Sequence, residues 1–365
     1  MSLNCGIIGI ANVGKTTLFN CMSNTKAQTS NFAFSSNKSN VGIINVPDER
    51  LFVLEKMVKA AKVVHTTVEI VDIPGLVRGS SKGEGIGNSF LADIRQTDAI
   101  IHVLRCFDDP NLPHVEGSVN PVRDREITDL ELQIIDLDLV ERKIHRSEKA
   151  AKTGDKDAKK VVEILNVYKN HLESFQSART VPLSDEEKKA ARDLCLITEK
   201  PVLYVCNVDD KSAVNGNNYV EKFKESISHE NAEVIVIAGK LEAEIAELDS
   251  VDDRMAFLQD VGLTEPGVNK LIKGAYKLLN LRTFLTAGPK EVRAWTIKEG
   301  MSAPQAAGVI HSDLERGFIR AEVMKYNDFV SLGSEHACKE KGKLSIEGKN
   351  YIVQDGDILN IRFNV

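Results

Sequence analysis

The sequence predicts a doubly wound α/β domain, interrupted by an antiparallel helical hairpin and followed by a small mixed β domain. Three observations predict this. The short apolar runs "CGIIGI", "TVEIVDI", "AIIHVLR", "PVLYVCN" and "EVIVIAG" alternate with helix-length segments, as parallel strands buried on both faces require. Strand signals are absent from Glu126 to Phe175. After Leu281, strand-like "EVRAWTI", "RAEVMKY" and "NYIVQDGDILNIRFNV" surround a short helical "SAPQAAGVIH".

The bulk numbers allow this architecture. A chain of 365 residues can hold two or three cores, and 42% apolar with 27% charged residues is ordinary for a soluble protein. The expected division is 1–125 with 199–280 for the α/β domain, 126–198 for the insertion and 281–365 for the last domain. Within the insertion, Ile127, Leu130, Ile134 and Leu137 repeat at helical spacing. "KTGDKD" supplies a turn, and Val161, Ile164, Leu165, Tyr168 and Leu172 mark a second helix.

Net charge is −6, so contact with nucleic acid would need a local basic patch. Residues 141–160 at the hairpin tip supply one, with eight Lys/Arg against four Asp/Glu; a solvated helical face is the plainer reading. The six cysteines have no CxxC spacing, and those in apolar runs (Cys5, Cys106, Cys206) read as buried thiols. No apolar run approaches membrane-spanning length. The chain opens directly on a strand-like segment, so no leader is expected and a cytoplasmic location is.

"GIANVGKTT" follows the first strand and runs into a helical segment. It fits G-x-x-x-x-G-K-[ST] in the strand–loop–helix context that the motif needs. The N–H groups of Asn12, Val13, Gly14, Lys15 and Thr16 can wrap phosphate, with Thr17 next in the cradle. Lys15 reaches the β/γ-phosphates and the Thr16 hydroxyl ligates Mg²⁺. "DIPG" closes a second strand, where Asp72 can hold Mg²⁺ through water and the Gly75 N–H can meet a γ-phosphate. Ser36 is the candidate switch hydroxyl completing the metal shell. "NVDD", Asn207 to Asp210, stands where a GTPase carries Asn-Lys-x-Asp, and Gly239 with Lys240 forms the last base-contacting loop.

These motifs carry a family resemblance over nearly the whole length. "NVGKTTLFN", "DIPGLVRGSSKGEGIGNSFL", "VNPVRD", "KPVLYVCNVD" and "AGPKEVRAWTI" onward resemble the YchF/Obg-like ATPases among P-loop NTPases. The resemblance implies an Obg-type nucleotide domain, a coiled-coil insertion and a C-terminal TGS domain of β-grasp type. It also implies ATP preference, Mg²⁺ and slow hydrolysis to ADP and phosphate. The partners to expect are the ribosome, at its large subunit, and RNA, bound through the hairpin and TGS domain by a monomer with no membrane contact.

Two departures from ordinary GTPases matter. Leu76 follows Gly75 where Ras-like enzymes keep a water-orienting glutamine, and leucine cannot hydrogen-bond water. The resemblance points instead to His114 in "PNLPHVEG", whereas His102 in "AIIHVLR" reads as a satisfied core histidine. The glycines Gly75, Gly79, Gly83, Gly85 and Gly87 would let the intervening switch close over the site. Asn12 stands where potassium-activated relatives place an asparagine, so K⁺ is a candidate activator.

The second departure is Val208, which replaces the base-packing lysine. Asn207 can serve either base, for example by accepting from adenine N6. Asp210 could still accept from guanine, and the family usually has glutamate there. ATP is the expected nucleotide, with a GTP-specific enzyme as the alternative. A nucleotide-controlled binding protein with negligible turnover is a further reading. A metabolic kinase would not need both DxPG and NxxD, and the set Lys15, Thr16 and Asp72 argues against a constitutive RNA scaffold.

Overall fold

The computed structural model describes residues 3–23, 40–74 and 89–364. Ser36, Gly75, Leu76 and the glycines from Gly79 to Gly87 lie outside them. The strands are β1 (Asn4–Ile8), β2 (Asn40–Asn45), β3 (Val63–Val64), β4 (Thr67–Asp72), β5 (Ala99–Arg105), β6 (Val202–Asn207), β7 (Glu233–Ile237), β8 (Leu281–Ala287), β9 (Val292–Lys298), β10 (Phe318–Lys325), β11 (Leu344–Glu347) and β12 (Asp357–Phe363). Contacts gather the chain into two units, Met1–Gly42 with Glu69–Leu271, and Ile43–Val68 with Ile272–Val365.

In the first unit the sheet order is β2-β4-β1-β5-β6-β7. β1 is parallel to β4 and β5, and β6 to β5 and β7. The five apolar runs named above form β1, β4, β5, β6 and β7; "NVGIIN", which forms β2, was not among them. The register aligns Ile7 with Asp72 and Arg105 with Asn207, so several strands end at one carboxyl edge. That edge is where open α/β sheets bind ligands.

Helix α1 (Lys15–Ser23) follows β1, α2 (Glu49–Val58) follows β2, and α3 (Ser89–Gln96) precedes β5. The hairpin consists of α4 (Pro121–Lys152) and α5 (Lys156–Glu173). Asn120 caps α4 by accepting from the Arg123 N–H, with Pro121 pre-set for the first turn. Gly154, at φ +98°, makes the reversal that a β-carbon would strain, and Asp155 caps α5.

The second helix buries four of the five residues expected of it, Ile164, Leu165, Tyr168 and Leu172, which pack with Val140 and Ile144, and Val161 is half-buried against them. The first helix corrects the sequence reading. Leu130 and Ile134 are 39% and 43% exposed, whereas Leu132, Ile135, Val140 and Ile144 are buried. Two apolar stripes run along α4, and spacing alone cannot choose between them. The buried stripe is joined by Asp136, whose carboxylate accepts from Ile197 N, Thr198 N and Thr198 Oγ1 at 2.7–2.9 Å. This buried group anchors the chain as it returns from the insertion, and burial pushes its pKa up to about 6.

The second unit holds the mixed sheet β11-β10-β12-β8-β9-β3. β8 is antiparallel to β9 and parallel to β12, and β10 is antiparallel to β11 and β12. The helix Ala303–Ile310 packs its alanines against Phe284, Ile297 and Leu359 in one core. Leu51 and Leu54 of α2 join Leu285, Met324 and Ile358 in another. Residues 43–68, read from the sequence within the nucleotide domain, thus have their contacts in the unit of the C-terminal strands, where β3 pairs with β9.

Candidate nucleotide-binding site

The turn between β1 and α1 forms a cradle. Gly9 has φ +148° and Gly14 φ +97°, and a β-carbon on Gly9 would stand 2.4 Å from the Val103 carbonyl oxygen. Glycine is required there on both steric and dihedral grounds. Asn12 is also left-handed, at φ 64°, a conformation asparagine tolerates better than most residues. Its Nδ2 donates to the Pro113 carbonyl at 3.2 Å, which joins the phosphate loop to the loop carrying His114. Val13 is buried, and Thr17 lies exposed in the first turn of α1.

Lys15 is 7% exposed and donates to the carbonyls of Gly9 and Ile10 at 3.0 and 2.9 Å. Burial lowers its pKa to about 8, against the opposing pull of Asp72. Thr16 Oγ1 donates to Asp72 Oδ2 at 3.0 Å, while the other oxygen, Oδ1, is buried without a hydrogen-bond partner. Burial raises the Asp72 pKa. An orphaned carboxylate oxygen beside a hydroxyl and a parked ammonium is a donor set suited to a hard cation and polyphosphate.

Asn207 ends β6 at 5% exposure. Its Nδ2 donates to the Val13 carbonyl at 2.8 Å, and its Oδ1 accepts from Gly239 N–H at 2.9 Å. Both ends of the amide therefore bind protein, so Asn207 ties the phosphate loop to the turn at Gly239. Val208 is buried in the main core, its N–H on the Ile237 carbonyl. Gly239 is buried at the start of its helix. At the exposed rim, Lys240 Nζ lies 3.6 Å from Asp210 Oδ2.

His114 is drawn away from solvent. Its side chain is 5% exposed, with Nε2 2.9 Å from Asp124 Oδ2 and Nδ1 accepting the Glu116 N–H at 3.1 Å. Arg105 was not picked out from the sequence, yet it organises this loop. It is buried at the end of β5 and donates to the carbonyls of Phe107, Leu112 and Asp109. A charged residue closing an otherwise apolar strand was the available signal. His102 is buried as expected, but its Nε2 has no partner, and burial pushes its pKa down to about 3. Cys5, Cys106 and Cys206 are buried and form no disulfide. Among the described residues no helix is long and apolar enough to cross a membrane, and no group of three or more His, Cys, Asp or Glu could hold a metal.

A parallel sheet with a glycine-bounded phosphate loop after its first strand, and an acid ending the neighbouring strand, defines a P-loop nucleotide-binding protein. The family model MMR_HSR1, described as a 50S ribosome-binding GTPase, matches residues 4–167, and YchF-GTPase_C, described as a protein of unknown function, matches 281–364. The chain belongs to the YchF family. It is 50% identical to the Bacillus subtilis (strain 168) protein named "Ribosome-binding ATPase YchF" and 48% identical to the Escherichia coli O157:H7 protein of that name, over 100% of each chain. The solved structure of the Schizosaccharomyces pombe YchF GTPase superposes with a TM-score of 0.87 at 33% identity, covering 99% of this chain and 98% of that one.

Proposed function

We propose that this protein is a ribosome-associated NTPase switch that binds ATP and hydrolyses it slowly to ADP and phosphate. The observation that carries the proposal is the joined set Lys15, Thr16 and Asp72 beneath a glycine-bounded loop. The bacterial relatives named ribosome-binding ATPases support the choice of partner and nucleotide. In this reading the three-part division is a nucleotide domain (1–125 and 199–280, apart from 43–68, whose contacts lie with the C-terminal strands), the inserted hairpin (126–198) and a TGS domain (281–365). The large ribosomal subunit and RNA are the proposed partners of the hairpin and TGS domain, with a cytoplasmic monomer as the working form.

Each residue has a role in that function. Lys15 exchanges its backbone acceptors for the β/γ-phosphate oxygens, and the N–H groups from Asn12 to Thr17 hold the phosphates. Thr16 Oγ1 and Asp72 would hold Mg²⁺, directly or through water, together with Ser36, and the bound ion would neutralise phosphate charge. The Gly75 N–H meets the γ-phosphate. With Leu76 in place of glutamine, His114 positions the attacking water. Asn12, its Nδ2 tied to Pro113, offers its amide oxygen to K⁺.

Support for adenine comes from Val208, which is buried and lacks the aliphatic stem that packs over a guanine, and from Lys240, whose ammonium lies 3.6 Å from the Asp210 carboxylate and competes for it. Asn207 and Gly239 shape the base pocket. The fungal neighbour is called a GTPase, and GTP is the second reading. Equilibrium titration with labelled ATP and GTP tests the choice: a GTP affinity tenfold above that for ATP, about 1.4 kcal/mol, would overturn it. Single-turnover hydrolysis with and without ribosomes tests the switch. Absence of cleavage in both conditions would leave a binding protein only.

A further inference from the structure

We propose that Asp124 is a latch on His114, holding the histidine out of the reaction until the helical insertion is engaged. This rests on the reading of His114 as the water-positioning residue. Because the Glu116 N–H donates to Nδ1, the ring proton lies on Nε2 and is given to Asp124 Oδ2 at 2.9 Å. Both ring nitrogens are therefore occupied by protein, so neither can accept from or orient a water molecule. In a histidine–carboxylate pair that works as a base, one nitrogen stays free; here none does. The neighbouring Pro113 already touches Asn12 of the phosphate loop, so the histidine is stored at the edge of the site rather than far from it.

The latch is itself held. Asp124 is fully buried, and its other oxygen accepts from Arg123 Nε and Nη2 at 3.2 and 2.9 Å. Arg123 in turn grips Ser118 through both the hydroxyl and the carbonyl oxygen. Asp124 stands in the first turn of α4, where the helix dipole favours a carboxylate. The same uninterrupted helix ends at Lys152 in the basic tip, about 42 Å away at the α-helical rise. A load on the tip is thus carried by one rigid element to the residue that holds His114. Release lets the ring leave both partners, so that Nδ1, which carries no proton, can accept from the attacking water while Nε2 keeps its own; this links engagement of the insertion to hydrolysis.

Single-turnover ATP hydrolysis by the full chain tests this, with wild type, Asp124→Asn, Asp124→Ala, His114→Ala and the His114→Ala double variants. The expected ribosome-free rate rises from wild type to Asn to Ala. The Ala variant gains about tenfold, as when a charge-assisted hydrogen bond no longer holds the ring. ATP affinity stays constant, and added ribosomes stimulate these variants less than wild type. In the His114→Ala background the Asp124 changes have no effect. Asp124 variants at or below the wild-type rate, with His114→Ala inactive, overturn the latch alone. Full turnover in His114→Ala overturns both the catalytic reading of that histidine and the latch. Independently of how the variants fold, the nucleotide-free wild type should show a slowly exchanging His114 Nε2 proton by NMR, assigned by its loss in His114→Ala; a rapidly exchanging ring with no such signal overturns the proposal.

Discussion

The amide nitrogen of Asn207 lies 2.3 Å from the point where a β-carbon on Gly14 would stand. The phosphate loop and the end of β6 are packed so closely that one position must be glycine for the other to reach across it. The amide then joins Val13 to Gly239, so the phosphate loop and the turn that opens the Gly239 helix share one strut.

That strut predicts a base-independent effect. Asn207→Ala leaves a buried N–H and a buried carbonyl without partners, a loss of about 1–3 kcal/mol. Affinity for ATP and GTP should fall by similar factors in equilibrium titrations. A loss confined to one nucleotide would show instead that the side chain reads the base.

The rim predicts discrimination. Lys240→Ala releases Asp210 from its neighbour at 3.6 Å and should raise GTP affinity relative to ATP. Asp210→Glu should shift the ratio towards ATP. If neither substitution moves the ratio measured with labelled nucleotides, the preference lies elsewhere in the pocket.

Lys15 predicts a pH dependence. Burial lowers its folded pKa to about 8, below the ordinary lysine value of about 10.4. The sign follows from linkage. Below pH 8 the buried ammonium carries a constant stability penalty, and that penalty is relieved as pH rises from 8 towards the unfolded value. Phosphate binding requires the ammonium, so above pH 8 it must take up a proton. Nucleotide affinity should be level below pH 8 and fall by up to about tenfold per unit above it. Calorimetry in buffers of different ionisation heat should detect the proton. Affinity that stays level to pH 10 would show that Lys15 remains charged in the empty loop.

The hairpin tip predicts salt-dependent partner binding. Lys149, Lys152, Lys156, Lys159 and Lys160 belong to a segment carrying +4 in a chain of −6, and neutralising RNA phosphates releases counterions. Replacing all five with glutamate should weaken ribosome co-sedimentation and flatten its salt dependence, with ATP affinity unchanged. If co-sedimentation is unchanged across a salt series, these lysines only solubilise the hairpin, and the contact must be sought among the C-terminal strands.

The sequence by itself determined the elements whose cause is local. The apolar runs became β1, β4, β5, β6 and β7 because a strand buried on both faces needs a continuous Val/Ile run. The phosphate loop was legible because its glycines, lysine and threonine are contiguous between a strand and a helix. The turn at Gly154 was legible for the same reason. Tertiary structure decided everything that depends on two distant segments meeting. It chose which apolar stripe of α4 is buried, because the choice depends on what packs against the helix. It placed residues 43–68 with the C-terminal strands, because β3 finds its partner in β9 more than two hundred residues later. It gave Asn207 its partners at Val13 and Gly239, and His114 its partner at Asp124. A side chain's chemistry can be read in one dimension, but the groups that satisfy a buried amide or imidazole are supplied by the fold.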